Sequence, residues 1–131
     1  MIGLDTNVLV RYLTQDDPTQ SPRATELIER RFTEGNPGFL SIVTMVETVL
    51  VLERAYGLSN VRIAEVIERL LQTAVLVVEY EAEVFAAMTV LQEGNGSFAD
   101  ALIGELGDRA GCSVTVTFDQ RAARLRNFAL A

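Results

Sequence analysis

Apolar residues recur along the chain with two spacings, which predict short strands and longer helices. Consecutive apolar or β-branched residues at Met1–Leu4, Val75–Val78 and Ser113–Thr117 are typical of buried strands, and Phe39 with Leu40 predicts another. Spacings of three and four residues predict helices. The predicted helices are Val8–Leu13, Ser21–Glu34 with Ser21 as its N-cap, Ile42–Ala55, Ser59–Thr73, Glu81–Gln92, Ser97–Ala110 and a short one at Gln120–Arg126, while Phe128–Leu130 stays unassigned.

Short buried strands that alternate with helices predict a parallel sheet, because each helix carries the chain back to the end of the sheet where the preceding strand began. We therefore expect an α/β fold with three layers, α/β/α, around a central, mostly parallel sheet of four or five short strands. The 131 residues are enough for one domain, which we expect to span residues 1–131. In such folds the ligand site lies at the carboxyl ends of the strands.

Two missing residue types narrow the chemistry. The chain has no histidine, and all eleven basic residues are arginine. This composition excludes histidine general acids, nucleophiles activated by histidine, and sites that need a lysine. The net charge of -7 opposes binding of a polyanion by basic residues alone, so such a substrate would need a bridging cation.

Neither a signal peptide nor a membrane span is predicted, so we expect a cytoplasmic protein. Apolar residues make up 49% of the chain and the mean hydropathy is positive, which indicates that a partner or a second copy covers some apolar surface. The lone Cys112 precedes an apolar run and is expected in the core.

Two aspartates follow predicted strands. Asp5 comes directly after the first strand and Asp119 lies just past the last confident one, where a parallel sheet presents its ligand site. Each precedes a predicted helix, so the structural alternative for both is an N-cap.

Two further acids lie on predicted helices. Asp100 follows Ser97 as in a capping box, but it shares a stripe of small residues that favours close approach of a ligand or of another backbone. Glu47 interrupts an apolar helix and is expected to face a polar cleft, the alternative being an ion pair with Arg54.

Several carboxylates in one place repel one another, so a cluster of them implies a cation. Oxygen ligands without histidine or cysteine favour Mg²⁺ or Mn²⁺. Such an ion lowers the pKa of an attacking water and neutralises charge on a leaving phosphate oxygen. These residues therefore predict hydrolysis of phosphodiester bonds.

The same residues resemble the PIN-domain nucleases, specifically the VapC-type toxins of bacterial toxin-antitoxin pairs. The resemblance implies an α/β/α fold, an RNA endonuclease that depends on Mg²⁺ or Mn²⁺, a homodimer, and inhibition by a cognate antitoxin protein; the RNA would be tRNA, rRNA or mRNA. The matching segments are Met1–Leu9, Glu47, Phe98–Ile103 and Val116–Asp119.

The resemblance also implies roles by position. It makes Asp5 and Asp100 the principal metal ligands, Glu47 a further ligand or base, and Asp119 an outer ligand. Thr6 and Thr117 would be polar supports. Many relatives carry an additional acid where this chain has Ser97, which leaves the number of ions open. The arginines near the matching segments are candidate phosphate contacts or solvated charges, namely Arg11, Arg121, Arg124 and Arg126.

Two other functions are compatible with parts of this pattern. An aspartyl-phosphate phosphatase would use an Asp after the first strand, but such enzymes resemble Asp-x-Asp there and use a lysine, whereas this turn reads Asp5-Thr6-Asn7. A non-catalytic PIN-like binding module, whose acidic groove docks a basic protein partner, is the remaining alternative.

Overall fold

The computed structural model describes residues 1–131, and its helices and strands alternate along the chain. The elements are β1 (Ile2–Gly3), α1 (Thr6–Thr14), α2 (Gln20–Glu26, continued by a π-helical turn at Leu27–Arg31), β2 (Gly38–Leu40), α3 (Ile42–Arg54), α4 (Asn60–Gln72), β3 (Leu76–Val78), α5 (Glu81–Gln92), α6 (Phe98–Arg109), β4 (Thr115–Thr117), a 3-10 turn (Ala122–Arg124) and β5 (Phe128–Leu130). The predicted mixed α/β architecture is confirmed.

All strand pairs are parallel, as predicted, and all five strands are short. β2 is the centre of a three-stranded sheet with the order β1-β2-β3, in which Gly38 lies opposite both Ile2 and Leu76. β4 and β5 pair only with each other. The strands are therefore divided between a sheet of three and a sheet of two, and only β2 is paired on both edges.

The core lies around the three-stranded sheet. A cluster of 21 buried residues extends from Leu4 to Leu102 and includes Leu40 at the end of β2. α4 contributes Ile63, Ala64, Ile67 and Leu70, which lie on one face as its three- and four-residue spacing predicts. Burial of each large apolar side chain contributes about 1.5–3 kcal/mol, so this cluster is the main source of stability.

Helix ends follow local hydrogen bonding. Ser41, Ser59 and Ser97 cap α3, α4 and α6, because each hydroxyl accepts an N–H of the first turn. The expected N-cap at Ser21 is wrong: α2 begins at Gln20, and the carboxylate of Asp17 accepts the N–H groups of Thr19 and Gln20. These two bonds hold the pKa of Asp17 below its usual value.

The C-terminal part differs most from expectation. The helix predicted at Gln120–Arg126 is only the 3-10 turn Ala122–Arg124, and Phe128–Leu130 forms a strand. Cys112 is exposed rather than buried, since it lies in the turn between α6 and β4. No helix has both the length and the apolar character needed to cross a membrane.

Candidate active site

Asp100 and Asp119 line one pocket, although they are nineteen positions apart in the sequence. The pocket has a volume of about 360 Å³ and lies where the start of α6 meets the segment after β4. Its polar lining also includes Glu53, from the end of α3, and Arg121. We call it the acidic pocket.

Asp119 combines a structural contact with a free oxygen. Its Oδ1 accepts the N–H of Arg121 at 2.7 Å and the N–H of Ala122 at 3.2 Å. Its own N–H donates to Thr117 Oγ1 at 3.0 Å, so Thr117 supports it. The capping alternative is thus realised, but it uses only one carboxylate oxygen.

Asp100 is held through its backbone and not through its carboxylate. Its N–H donates to Ser97 Oγ at 3.1 Å, which is one half of the predicted capping box. The second bond of a capping box, in which the Ser97 N–H would donate to the Asp100 carboxylate, is absent, and the Ser97 side chain alone caps α6. The half-buried Asp100 carboxylate is therefore available to a ligand.

Asp5 precedes α1 in extended backbone conformation, and its side chain makes no capping hydrogen bond. The capping alternative fails here, and the exposed carboxylate has no structural duty. The next residue, Thr6, is 7% exposed and its Oγ1 has no hydrogen-bond partner. A buried hydroxyl without a partner costs about 1–3 kcal/mol, so the start of α1 carries two polar groups without internal partners.

Glu47 lies on the exposed side of α3 and makes no ion pair with Arg54 or any other arginine. The polar cleft expected around it is wrong, because it borders an apolar groove between α3 and α6 that Val43 and Ile103 also line. Beneath it, the Thr44 hydroxyl donates to the Leu4 carbonyl at 3.1 Å. This bond ties α3 to the chain just before Asp5.

Of the four predicted acids, the structure brings two into one pocket. Asp100 and Asp119 share the acidic pocket, whereas neither Asp5 nor Glu47 lines it. No three acidic side chains lie close enough to hold one metal ion. The donor set fits a hard cation in its all-oxygen chemistry. Its present arrangement does not complete a coordination shell.

The small-residue stripe on α6 serves packing rather than ligand approach. A Cβ on Gly104 would lie 2.5 Å from the Phe128 ring, and one on Gly107 would lie 2.6 Å from Thr115 Oγ1. The two glycines therefore allow β5 and β4 to approach α6 closely. An ion pair between Arg126 and Glu105, 2.8 Å apart, joins the same two regions.

Glu53 and Asn60 line the acidic pocket, and sequence reasoning missed both. Glu53 ends the apolar run of α3 as an acid, but many helices end with a charged residue, and Asn60 looks like an ordinary first-turn residue. Their place in the pocket follows from the way α3, α4 and the C-terminal segment meet, which the sequence pattern does not specify.

Fold and pocket together define a parallel α/β protein with a carboxylate-lined site that offers oxygen ligands only. The sequence profile of the PIN domain matches residues 2–127, and the chain therefore belongs to the PIN domain family. PIN domains are in general metal-dependent nucleases that act on RNA or DNA. No curated protein matches the chain significantly.

Proposed function

We propose that this protein is an endoribonuclease that depends on Mg²⁺ or Mn²⁺ and is the toxin of a toxin-antitoxin pair. The observation that carries the nuclease part is the acidic pocket, where Asp100 has a carboxylate without hydrogen bonds and Asp119 has one free oxygen. Asp16, by contrast, has both carboxylate oxygens engaged, since its Oδ1 accepts from Arg11 and Thr14 and its Oδ2 accepts from Tyr56.

The proposed ligands are Asp5, Glu47, Asp100 and Asp119. Asp5 and Asp100 would be the principal ligands, Glu47 a further ligand or base, and Asp119 an outer ligand held by its cap. When bound, the ion would supply an activated water and charge neutralisation at phosphate. Mutual repulsion opposes the approach of these carboxylates, so we expect ion binding and assembly of the site to be coupled.

The partners in this proposal are an RNA (tRNA, rRNA or mRNA), a cognate antitoxin and a second copy of the chain, with a cytoplasmic location. The three partners follow from the resemblance to VapC-type toxins. The apolar groove beside Glu47 supports a protein partner, since Val43 is 63% exposed and Ile103 is 53% exposed. A groove of this kind is a surface that a homodimer or an antitoxin would cover.

A non-catalytic binding module is the second candidate. The observation in its favour is the same set of unengaged carboxylates, because a carboxylate that can bind a cation can also bind an arginine of a protein partner. The two candidates differ in metal uptake and in catalysis.

The test is cleavage of RNA by the purified protein with Mn²⁺, combined with Mn²⁺ titration calorimetry. We expect cleavage that a chelator stops, and losses of more than about 100-fold in Asp5→Asn and in Asp100→Asn, beyond the 10- to 100-fold that loss of an outer support costs. Asp108→Asn on the same helix is the matched control and should cleave normally. Cleavage that persists in both site variants contradicts the proposed residues, and a protein with neither Mn²⁺ uptake nor cleavage is the binding module.

A further inference from the structure

The acidic pocket lies beside a second pocket with basic walls. This second pocket has a volume of about 430 Å³ and is lined by Arg121, Arg124 and Arg126. The two pockets share Gly94, Arg121 and Leu125 as lining residues, so they adjoin one another on the surface. We call the second one the arginine pocket.

Two of these arginines are free to bind a ligand. Arg126 pairs with Glu105 at 2.8 Å, and the hydrogen bond between them raises the pKa of Arg126. Arg121 and Arg124 are exposed, and their guanidinium groups make no ion pair. The chain as a whole carries a net charge of -7. The two unpaired arginines therefore make the electrostatic potential beside the acidic pocket more positive than the net charge would suggest.

The position of Arg121 is tied to the acidic pocket through the backbone. Its N–H donates to Asp119 Oδ1 at 2.7 Å, so the residue that carries the guanidinium is held by a proposed metal ligand. Gly94 also lines both pockets, and a Cβ there would meet nothing within 4 Å, which leaves that backbone open to approach. Gly96 packs closely against Leu125, whose side chain lies 3.0 Å from where a Cβ on Gly96 would be. This contact holds the loop against the C-terminal segment.

We propose that Arg121 and Arg124 bind backbone phosphates of the RNA strand on one side of the bond that is cut. The inference rests on the proposed nuclease function, because the acidic pocket would hold the scissile phosphate. A strand that crosses from one pocket to the other places consecutive phosphates first near the acids and then near the arginines. Phosphate contacts position a strand without reading its bases, so this pocket gives register rather than sequence preference.

A second arginine-lined groove does not adjoin the acidic pocket in this way. Arg11, Arg23 and Arg31 border a groove between α1 and α2, but it shares no lining residue with the acidic pocket. Arg11 is also engaged there by Asp16 at 3.2 Å. Adjacency to the acids therefore distinguishes Arg121 and Arg124 from the other unpaired arginines of the chain.

The test measures binding of a fluorescent single-stranded RNA at several salt concentrations, with a fixed concentration of Ca²⁺ in place of Mn²⁺ as the oxygen-ligated bridging cation, and a gel confirms that the RNA stays intact. Each phosphate contact to a single strand contributes about 0.7 to the slope of log K against log salt. We expect Arg121→Gln/Arg124→Gln to reduce the magnitude of the slope by about 1.4, the contribution of two phosphate contacts. If the variant and the wild type bind equally at 1 M salt, the variant then binds roughly 25-fold more weakly than the wild type at 0.1 M salt. Arg121→Lys/Arg124→Lys should retain the slope, because an ammonium also binds phosphate as a point charge.

The matched control is Arg62→Gln/Arg69→Gln, which removes the same charge from two exposed arginines that make no ion pair and line neither pocket. An equal slope in the two Gln variants, or a wild-type protein that does not bind the RNA, overturns the inference. The nuclease proposal is judged separately by the Mn²⁺ cleavage assay. If the expected slopes are observed and no RNA is cleaved, the phosphate contacts stand and the nuclease proposal is rejected.

Discussion

Two regions of the molecule, one up to Leu102 and one from β4 onwards, both form short strands from apolar and β-branched residues. They differ in how well these residues are buried. Every residue of the core cluster lies between Leu4 and Leu102. Beyond Leu102, Ala122 is the only buried side chain, while Val116 is 63% exposed and Phe118 is 89% exposed. β-branched residues make a strand in both regions, but β2 and β3 supply buried residues to the core, whereas no residue of β4 or β5 is buried. Local pattern selects the strand, and tertiary contact decides how much it stabilises the protein.

The difference matters for the proposed site because its ligands come from both regions. Asp5 and Glu47 belong to the well-packed part, whereas Asp119 belongs to the C-terminal segment. Asp100, near the start of α6, lies between them. The position of Asp119 relative to Asp5 therefore depends on the contacts that hold β4 and β5 to α6.

The largest expected effect compares one apolar truncation in each region. Leu52 is 1% exposed, so Leu52→Ala should lower the free energy of unfolding by about 2–5 kcal/mol. Val116→Ala removes little buried surface and should change it by no more than about 0.5 kcal/mol. Urea unfolding measures both, and similar losses in the two variants would remove the contrast.

An intermediate effect is expected at the contact that joins the regions. Gly104→Ala places a methyl group 2.5 Å from the Phe128 ring, and overpacking of this kind costs about 1–3 kcal/mol. Gly3→Ala is the control, because nothing lies within 4 Å of that Cβ position. Hydrogen exchange should accelerate at the β4 amides in Gly104→Ala. Removal of the Phe128 ring should relieve the overlap, so the double variant Gly104→Ala/Phe128→Ala should be more stable than the sum of its single changes predicts. An additive result would show that the steric explanation is wrong.

The smallest expected effect is a pH dependence in the first region. The hydroxyl of Tyr56 donates to Asp16 Oδ2 at 2.6 Å, and this bond, followed by those from Thr14 and Arg11, lowers the pKa of Asp16 from 3.8 to about 2. A lowered folded-state pKa stabilises the protein above the unfolded value, and the contribution is lost as pH falls from about 4 to about 2.

Carboxyl NMR titration of Tyr56→Phe tests this assignment. Loss of the phenol should move the Asp16 pKa back towards 3.8. Acid unfolding supplies the second measurement, because the stability difference between the wild type and Asp16→Asn should shrink across the same interval. An unchanged Asp16 titration in Tyr56→Phe would assign the shift to the remaining donors.

The sequence predicted the helices of the well-packed part closely because their apolar spacing and serine caps are local signals. It predicted α4 as Ser59–Thr73, which is within one residue of the observed Asn60–Gln72 at each end. It failed at Ser21, where Pro22 suggested the first helical position but the more distant Asp17 supplies the acceptor. It also failed at Phe128–Leu130, because a three-residue strand has no periodicity and is defined by its partner β4.

The candidate site was predictable in its residue types and only partly in its arrangement. Asp100 and Asp119 meet because one begins a helix and the other follows a strand that packs on that helix. Glu53 joins them from a third element, and no spacing in the sequence relates it to either. Glu47 was expected to face a polar cleft because it interrupts an apolar helix, but the two threonines nearest to it on α3, Thr44 and Thr48, are buried.

The two oxygens of Asp119 allow its architectural and electrostatic contributions to be separated chemically. Since Oδ1 is occupied by two backbone amides, the side chain has one oxygen left and would be a monodentate ligand. The isosteric asparagine retains an acceptor for the turn and loses the negative charge, whereas alanine loses both. The difference between the asparagine and alanine variants therefore measures the contribution of the hydrogen bonds to the turn. The difference between the wild type and the asparagine variant measures the contribution of the negative charge.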